Sequence, residues 1–173
     1  MSQEDTTVRV VEGFDAFYRR EYSRMVAIAY ALLGSGAAAE DVVQEAFLTA
    51  HRRWPRISSY EDPRGWVRRV VVNRATSVLR RRTAEWRAVR RLGGGDASSV
   101  VPPLEARSRE VWDAVRALPR RQAQAIALYY VDDLSLEEIG SVLGCSPGTV
   151  KTHLHRARQQ LERKLASWNE EAR

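Results

Sequence analysis

Apolar residues recur along this chain with the period of a helix almost throughout, and no alternating run is long enough to suggest a strand. Phe14, Phe17, Tyr18, Met25, Ile28, Ala29 and Leu32 are helically spaced between about residues 10 and 33, and Gly34-Ser35-Gly36 ends that run. A second helix is expected from about Ala37 to Trp54, with Val43, Ala46, Phe47 and Ala50 covering most of its circumference. The polar stretch from Arg56 to Asp62 reads as a loop. A third helix begins at Asp62-Pro63, a capping acid followed by a proline whose missing N–H costs nothing in the first turn. It runs to about Arg91, and Val67, Val70, Val71, Ala75 and Val78 share the face it can bury. LGGGDASSVVPP, residues 92–103, then breaks every pattern and reads as a linker. A phosphate-binding loop is a poor fit there, because no strand precedes the glycines and no lysine follows them.

Beyond the linker, helices are expected at about 105–117 and from Pro119 to Val131. Ser135-Leu-Glu-Glu138 has the spacing of a capping box, in which serine and glutamate each satisfy the other's backbone N–H. Gly144 can end that short helix, and Ser146-Pro147 can start the next, which extends to about residue 168. A helix of about eight residues, a tight turn and a longer helix form a helix-turn-helix signature. Val150, Leu154, Ala157 and Leu161 give the last helix one apolar stripe. The fold class expected is all-α: two small helical domains, residues 10–91 and 105–170, joined by a flexible linker at 92–104.

Composition narrows the function classes. With 173 residues and a hydrophobic share of 44%, the chain has the makings of a globular protein. No stretch approaches the ~18 uncharged apolar residues of a membrane span, and MSQEDTTVRVVEG lacks the regions of a signal peptide, so a cytoplasmic location without membrane insertion is expected. The single cysteine, Cys145, allows no internal disulfide and no CxxC zinc pair. His153 and His155, two apart, point to different sides of a helix, so no metal and no cofactor are expected. No nucleophile, base and orienter come together in the sequence, and an enzyme is not expected.

Charge is distributed in blocks. Residues 1–50 carry 4 basic and 8 acidic side chains, residues 51–91 carry 13 and 3, residues 92–138 carry 5 and 8, and residues 139–173 carry 6 and 3. Two basic surfaces separated by acidic ones suggest a polyanion partner. On the last helix, Thr149, Lys151, Thr152, His153, His155, Arg156 and Arg158 lie off the apolar stripe, where a recognition helix meets base edges and phosphates. On the third helix, the side opposite the valines carries Trp66, Arg69, Asn73, Thr76, Ser77 and Arg80. An aromatic platform mixed with amide, hydroxyl and guanidinium groups suits unpaired bases, which stack on planes and hydrogen-bond at their edges. Arg68 and Arg81 are expected to reach solvent or a phosphate. On the second helix, Asp41, Gln44, Glu45, Leu48 and Arg52 occupy one narrow arc, acidic and amide groups around a leucine, as in a protein-docking stripe.

The stretches Asp41-Val-Val-Gln-Glu-Ala-Phe47, Trp66 with Asn73 seven positions on, Leu118-Pro119-Arg120, Leu134-Ser-Leu-Glu-Glu-Ile-Gly140 and Cys145-Ser-Pro-Gly-Thr-Val150 together resemble the bacterial extracytoplasmic-function sigma factors over residues 10 to 168. The resemblance implies a promoter-specificity subunit of RNA polymerase, with a region 2 helical bundle and a region 4 helix-turn-helix. It implies that Asp41, Gln44, Glu45 and Leu48 dock on the clamp helices of the beta-prime subunit and that the beta flap is a second contact. Arg56, Tyr60, Trp66, Arg69, Asn73, Thr76 and Arg80 would serve the minus-ten element, with Trp66 and Asn73 lining the pocket for a flipped base. Thr149, Lys151, Thr152, His153, His155, Arg156 and Arg158 would read the minus-thirty-five element, although His153 stands where arginine is expected. Partners would be core polymerase, promoter DNA and an anti-sigma factor, and the free chain would be a monomer. The rival reading is a stand-alone helix-turn-helix regulator of duplex operators, which needs a dimer interface and has no use for the Trp66 to Arg80 face.

Overall fold

A computed structural model describes residues 13–91 and 106–171. The linker expected at 92–104, and residues 10–12 and 105 at the expected domain edges, lie outside the described residues. Those described form helices α1 (Phe14–Leu33), α2 (Gly36–Arg52), α3 (Trp54–Ile57), α4 (Pro63–Arg91), α5 (Ala106–Arg116), α6 (Arg120–Tyr130), α7 (Leu136–Leu143) and α8 (Pro147–Glu171).

In the first half, α1, α2 and α4 pack on one another and bury Phe17, Met25, Ile28, Leu32, Val43, Phe47, Val67 and Val71. Gly34 ends α1 in the left-handed region at φ 68°, and its N–H closes on the Tyr30 carbonyl at 2.7 Å. Ser35 caps α2 by accepting from the Ala38 N–H. Asp62 Oδ1 accepts from the Gly65 N–H at 2.8 Å, so the acid before Pro63 caps α4 as its position suggests.

One expectation is corrected here. The stretch beginning at Arg56 is not all loop, because Trp54-Pro55-Arg56-Ile57 winds into a helical turn. Ile57 is buried, and the Trp54 ring sits 4.8 Å from Phe17 and 5.4 Å from Phe14, centroid to centroid. Two large apolar side chains three apart were the available signal, since a helical turn puts both on one face whereas a strand would put them on opposite faces.

The second half is held by α8 against α5, α6 and α7. The capping box of α7 is formed as expected: Ser135 Oγ accepts from the Glu138 N–H at 3.2 Å and Glu138 Oε2 accepts from the Ser135 N–H at 2.8 Å. Gly144 takes the left-handed conformation at φ 69°. Gly140 is required for a different reason: a Cβ there would stand 2.6 Å from the Cys145 carbonyl oxygen, inside contact distance. The tight turn therefore depends on a glycine one turn before it. Ile139, Val142, Leu143, Val150, Leu154 and Ala157 fill the core beneath.

The two halves also meet each other. Helix α4 lies against α6 and α7, and α1 against α5 and α6.

Candidate nucleic-acid interface

The helix-turn-helix presents its long helix to solvent. Thr149, Lys151, Thr152, His155, Arg156 and Arg158 are exposed, and His153 is half-buried. Ser146 caps α8 by accepting from the Thr149 N–H at 3.2 Å. A Cβ on Gly148 would meet only Ser146 Oγ at 3.9 Å, so the approach to this helix start is open. Partial burial, then the neighbouring Arg121 and Arg156, hold the His153 imidazole below its ordinary pKa. At neutral pH it is an uncharged donor and acceptor, unlike an arginine. Arg158 is anchored differently from its neighbours. Its Nε donates to Tyr130 Oη at 3.0 Å, and its guanidinium lies 5.3 Å and 5.7 Å from the Tyr129 and Tyr130 ring centroids.

On α2, Asp41, Gln44, Glu45 and Leu48 are all exposed. Leu48 is 56% accessible, unusual for so large an apolar side chain. Gln44 and Leu48 rim a notch of about 210 Å³ that also takes in Phe14, Tyr18, Phe47 and His51. Phe14 and His51 rings stand 4.8 Å apart, and Tyr18 and Phe47 5.0 Å. The contribution of α1 to this notch is not visible in the α2 pattern alone. Glu45 is ion-paired with Arg74 of α4.

The α4 face is arranged unlike either of these. Arg56 and Arg80 are exposed and Tyr60 and Trp66 half-buried, but Arg69, Asn73 and Thr76 are engaged by the second half of the chain. Arg69 Nε donates to the Val142 carbonyl at 3.0 Å, and its Nη2 donates to the Ser141 carbonyl, both at the end of α7. Asn73 Oδ1 accepts from Arg120 Nη2 at 2.7 Å and from Gln124 Nε2 at 3.5 Å. Gln124 Nε2 also donates to Thr76 Oγ1 at 3.1 Å. Thr76 is 2% exposed, so it does not line an open surface as its place on the helix wheel suggests. An open cavity of about 170 Å³ beside Trp66 is lined by Asp62, Gly65 and Arg69 and, from the second half, by Ser141. Arg80, with Arg116 and Arg120, edges a larger cleft of about 770 Å³ floored by Leu33, Leu79 and Leu118.

Arg68 departs from expectation most. It is 4% exposed and paired with Asp132 in the loop between α6 and α7. Arg24 Nε reaches the other oxygen of the same carboxylate at 2.6 Å. Below this, Glu21 Oε1 pairs with Arg20 at 2.8 Å and Arg64 at 3.1 Å. Arg81 is exposed and sits 3.8 Å from Glu85. Nothing in sequence spacing announces the Arg24, Arg68 and Asp132 cluster, whose members are 44 and 64 residues apart along the chain.

Among the described residues no helix is long and apolar enough to cross a membrane. The family model for Sigma-70 region 2 matches residues 17–85, and that for Sigma-70 region 4 matches residues 108–161. The chain is 30% identical over 154 residues to the ECF RNA polymerase sigma factor SigW of Bacillus subtilis, covering 80% of this chain and 81% of that protein. It is 28% identical over 160 residues to the RNA polymerase sigma-E factor of Streptomyces avermitilis, covering 92% and 89%. In fold it is similar to the sigma factor RpoE from Bartonella quintana, solved in complex with the anti-sigma factor NepR. That match has a TM-score of 0.70 at 24% identity and covers 88% of this chain and 96% of that one.

Proposed function

The chain belongs to the extracytoplasmic-function sigma factors of the sigma-70 family, and on that premise we propose how its surfaces divide their work between polymerase and promoter. As an RNA polymerase sigma factor it directs core polymerase to particular promoters in the cytoplasm and melts the minus-ten element. It is a specificity subunit, and the chemistry of RNA synthesis stays with the core enzyme.

Residues 10–91 form the docking and melting domain and residues 105–170 the duplex-reading domain, with 92–104 between them. Asp41, Gln44, Glu45 and Leu48 dock on the beta-prime clamp helices, the exposed leucine entering an apolar contact rimmed by acids and amide. The second domain meets the beta flap. Thr149, Lys151, Thr152, His153, His155, Arg156 and Arg158 face the minus-thirty-five major groove. Arg56, Tyr60, Trp66, Arg69, Asn73, Thr76 and Arg80 serve the minus-ten strand, with Trp66 and Asn73 around the extruded base. Each domain alone binds DNA weakly, and polymerase holds both at one effective concentration so that weak contacts add. Extruding a base costs a few kcal/mol, which contacts in a pocket offset. The free chain is a monomer, and an anti-sigma factor that covers the Leu48 notch would keep it from polymerase.

One observation carries this reading: a single chain joins a capped helix-turn-helix with an exposed basic helix to an α4 face bearing Trp66, Arg69 and Asn73. A stand-alone regulator needs only the first. Run-off transcription with purified core polymerase on genomic promoter fragments tests it. Transcripts that require the chain are expected, whereas tight duplex binding by the chain alone, with no initiation, would contradict it.

A further inference from the structure

The first half meets the second through a set of polar contacts: a carboxylate on Arg24 of α1 and Arg68 of α4, and, on α4, backbone carbonyls on Arg69 and guanidinium and amide groups on Asn73. Those are the groups a nucleic-acid strand offers, namely anionic oxygens, carbonyl acceptors and base-edge donors. A permanent interface gains little from such chemistry, because buried ion pairs of this kind are commonly matched or bettered by apolar packing. Polar contacts between halves of a chain instead accompany relative motion.

We propose that Arg24 and Arg68 form a binding site for a phosphodiester of the single-stranded promoter segment, and that Asp132 occupies this site as a stand-in until the two halves separate. Arg68 lies five residues before Asn73 on α4, a rise of about 7.5 Å, so its guanidinium is within one nucleotide's reach of a strand with a base at Asn73. Arg24 approaches from α1, its side chain still 48% accessible, and Asp132 is held between the two with none of its side chain exposed. Among the described residues, both ion pairs of Asp132 reach across to the first half, to Arg24 and Arg68. The residue after it, Asp133, takes a left-handed φ of 52°, a conformation that aspartate tolerates better than most residues and that turns the loop so that it delivers Asp132. Burial raises the Asp132 carboxyl above its ordinary pKa although Arg68 and Arg24 pull the other way. Burial therefore works against the charged carboxylate and the two guanidiniums work for it, a balance that suits a ligand a phosphodiester displaces.

The proposal rests on the reading of α4 as the strand-contacting helix, and its test separates the two. Spin labels at Glu61→Cys and Gln160→Cys, in a Cys145→Ala background of the full chain, report the separation of the halves. Binding of a short fluorescein-labelled single-stranded DNA, carrying the minus-ten sequence of a promoter found by run-off transcription, reports the site. Asp132→Asn, which keeps the shape and removes the charge, is expected to lengthen and broaden the label distances and to tighten strand binding about tenfold. In that background Arg24→Ala, at a half-exposed position, should weaken strand binding and reduce its log–log salt slope by ~0.7, one phosphate contact on a single strand. Arg120→Ala, on an exposed residue that touches Asn73, should open the halves without reducing that slope.

Unchanged distances in Asp132→Asn overturn the proposal. So does strand binding that falls with Asn73→Ala but ignores Arg24→Ala, which leaves the strand-contacting reading intact. Opened halves that bind no strand, with Asn73→Ala without effect, overturn both together.

Discussion

Helices α4 and α8 both carry residues assigned to DNA, and they are presented in opposite ways. The N-terminal half of α8 buries Val150, Leu154 and Ala157 and turns Thr149, Lys151, Thr152, His155, Arg156 and Arg158 to solvent, with His153 partly sheltered among them. Arg69, Asn73 and Thr76 of α4 are instead in hydrogen bonds with α6 and α7 of the same chain. On the proposed assignment of these residues, duplex DNA can therefore be read while a melted strand cannot yet be held. The difference teaches an order of events: the minus-thirty-five contact is available first, and the minus-ten contact follows only after α6 and α7 leave α4. The proposed docking of the first domain through α2, and of the second through a contact of its own, would give polymerase a way to hold the two apart.

The sharpest way to break this comparison is at Asn73. Asn73→Ala should lower open-complex formation roughly tenfold to a hundredfold, the scale of leaving base-edge groups unpaired. Permanganate reactivity of the minus-ten thymines measures it, and closed-complex binding should hardly change. Equal loss in both steps would remove the division between the helices. Gly140→Ala attacks the other side. A Cβ 2.6 Å from the Cys145 carbonyl oxygen forces the turn apart, at about 1–3 kcal/mol, and should abolish duplex binding while the helical content of the first domain survives. Duplex binding by gel shift and thermal unfolding by circular dichroism read these two effects.

Arg156→Ala is expected to be milder and specific to α8. It should weaken minus-thirty-five duplex binding several-fold and reduce the salt slope by ~0.9, with open-complex yield recovering at higher protein concentration. The smallest effect is in the capping box. Ser135→Ala should cost ~1 kcal/mol of stability in denaturant unfolding, by loss of the cap on α7. The Ser135 N–H and hydroxyl hold the Glu138 carboxyl below its ordinary value of 4.5. A depressed carboxyl contributes stability that is fully present above that value and is lost as pH falls through the lowered one. Glu138→Gln should therefore flatten the acid limb of stability below about pH 4.5 and leave neutral pH little changed.

What was legible in the sequence is local in its physics. Asp62 before Pro63, the Ser135 to Glu138 box, Gly144 and Ser146-Pro147 all act within four residues, and each forms where its spacing puts it. The turn at Trp54 to Ile57 was hidden because its two apolar residues are separated by a proline and an arginine that look like loop. The candidate site was legible in its residues but not in its state. A helix wheel assigns Thr76 and Arg68 to sides of their own helix, and it says nothing of Gln124 or Asp132, which reach them from 48 and 64 residues away. Long-range contacts of that kind are made by the packing of halves, and no periodicity encodes them. Gly140 is the intermediate case, a residue inside a recognised motif whose steric role appears only with the Cys145 carbonyl beside it.

The central claim is that α8 is open and α4 closed until polymerase separates the halves. Anisotropy titration of the labelled minus-ten strand against the chain alone, and then against the chain assembled with core polymerase, tests it most directly. The chain alone should bind the strand at least tenfold more weakly than the assembled enzyme, while core polymerase without the chain shows no preference for the minus-ten sequence. Equal affinity of the free and assembled chain for that strand would mean that the contacts of Asn73, Arg69 and Arg68 do not close the site, and would contradict the account.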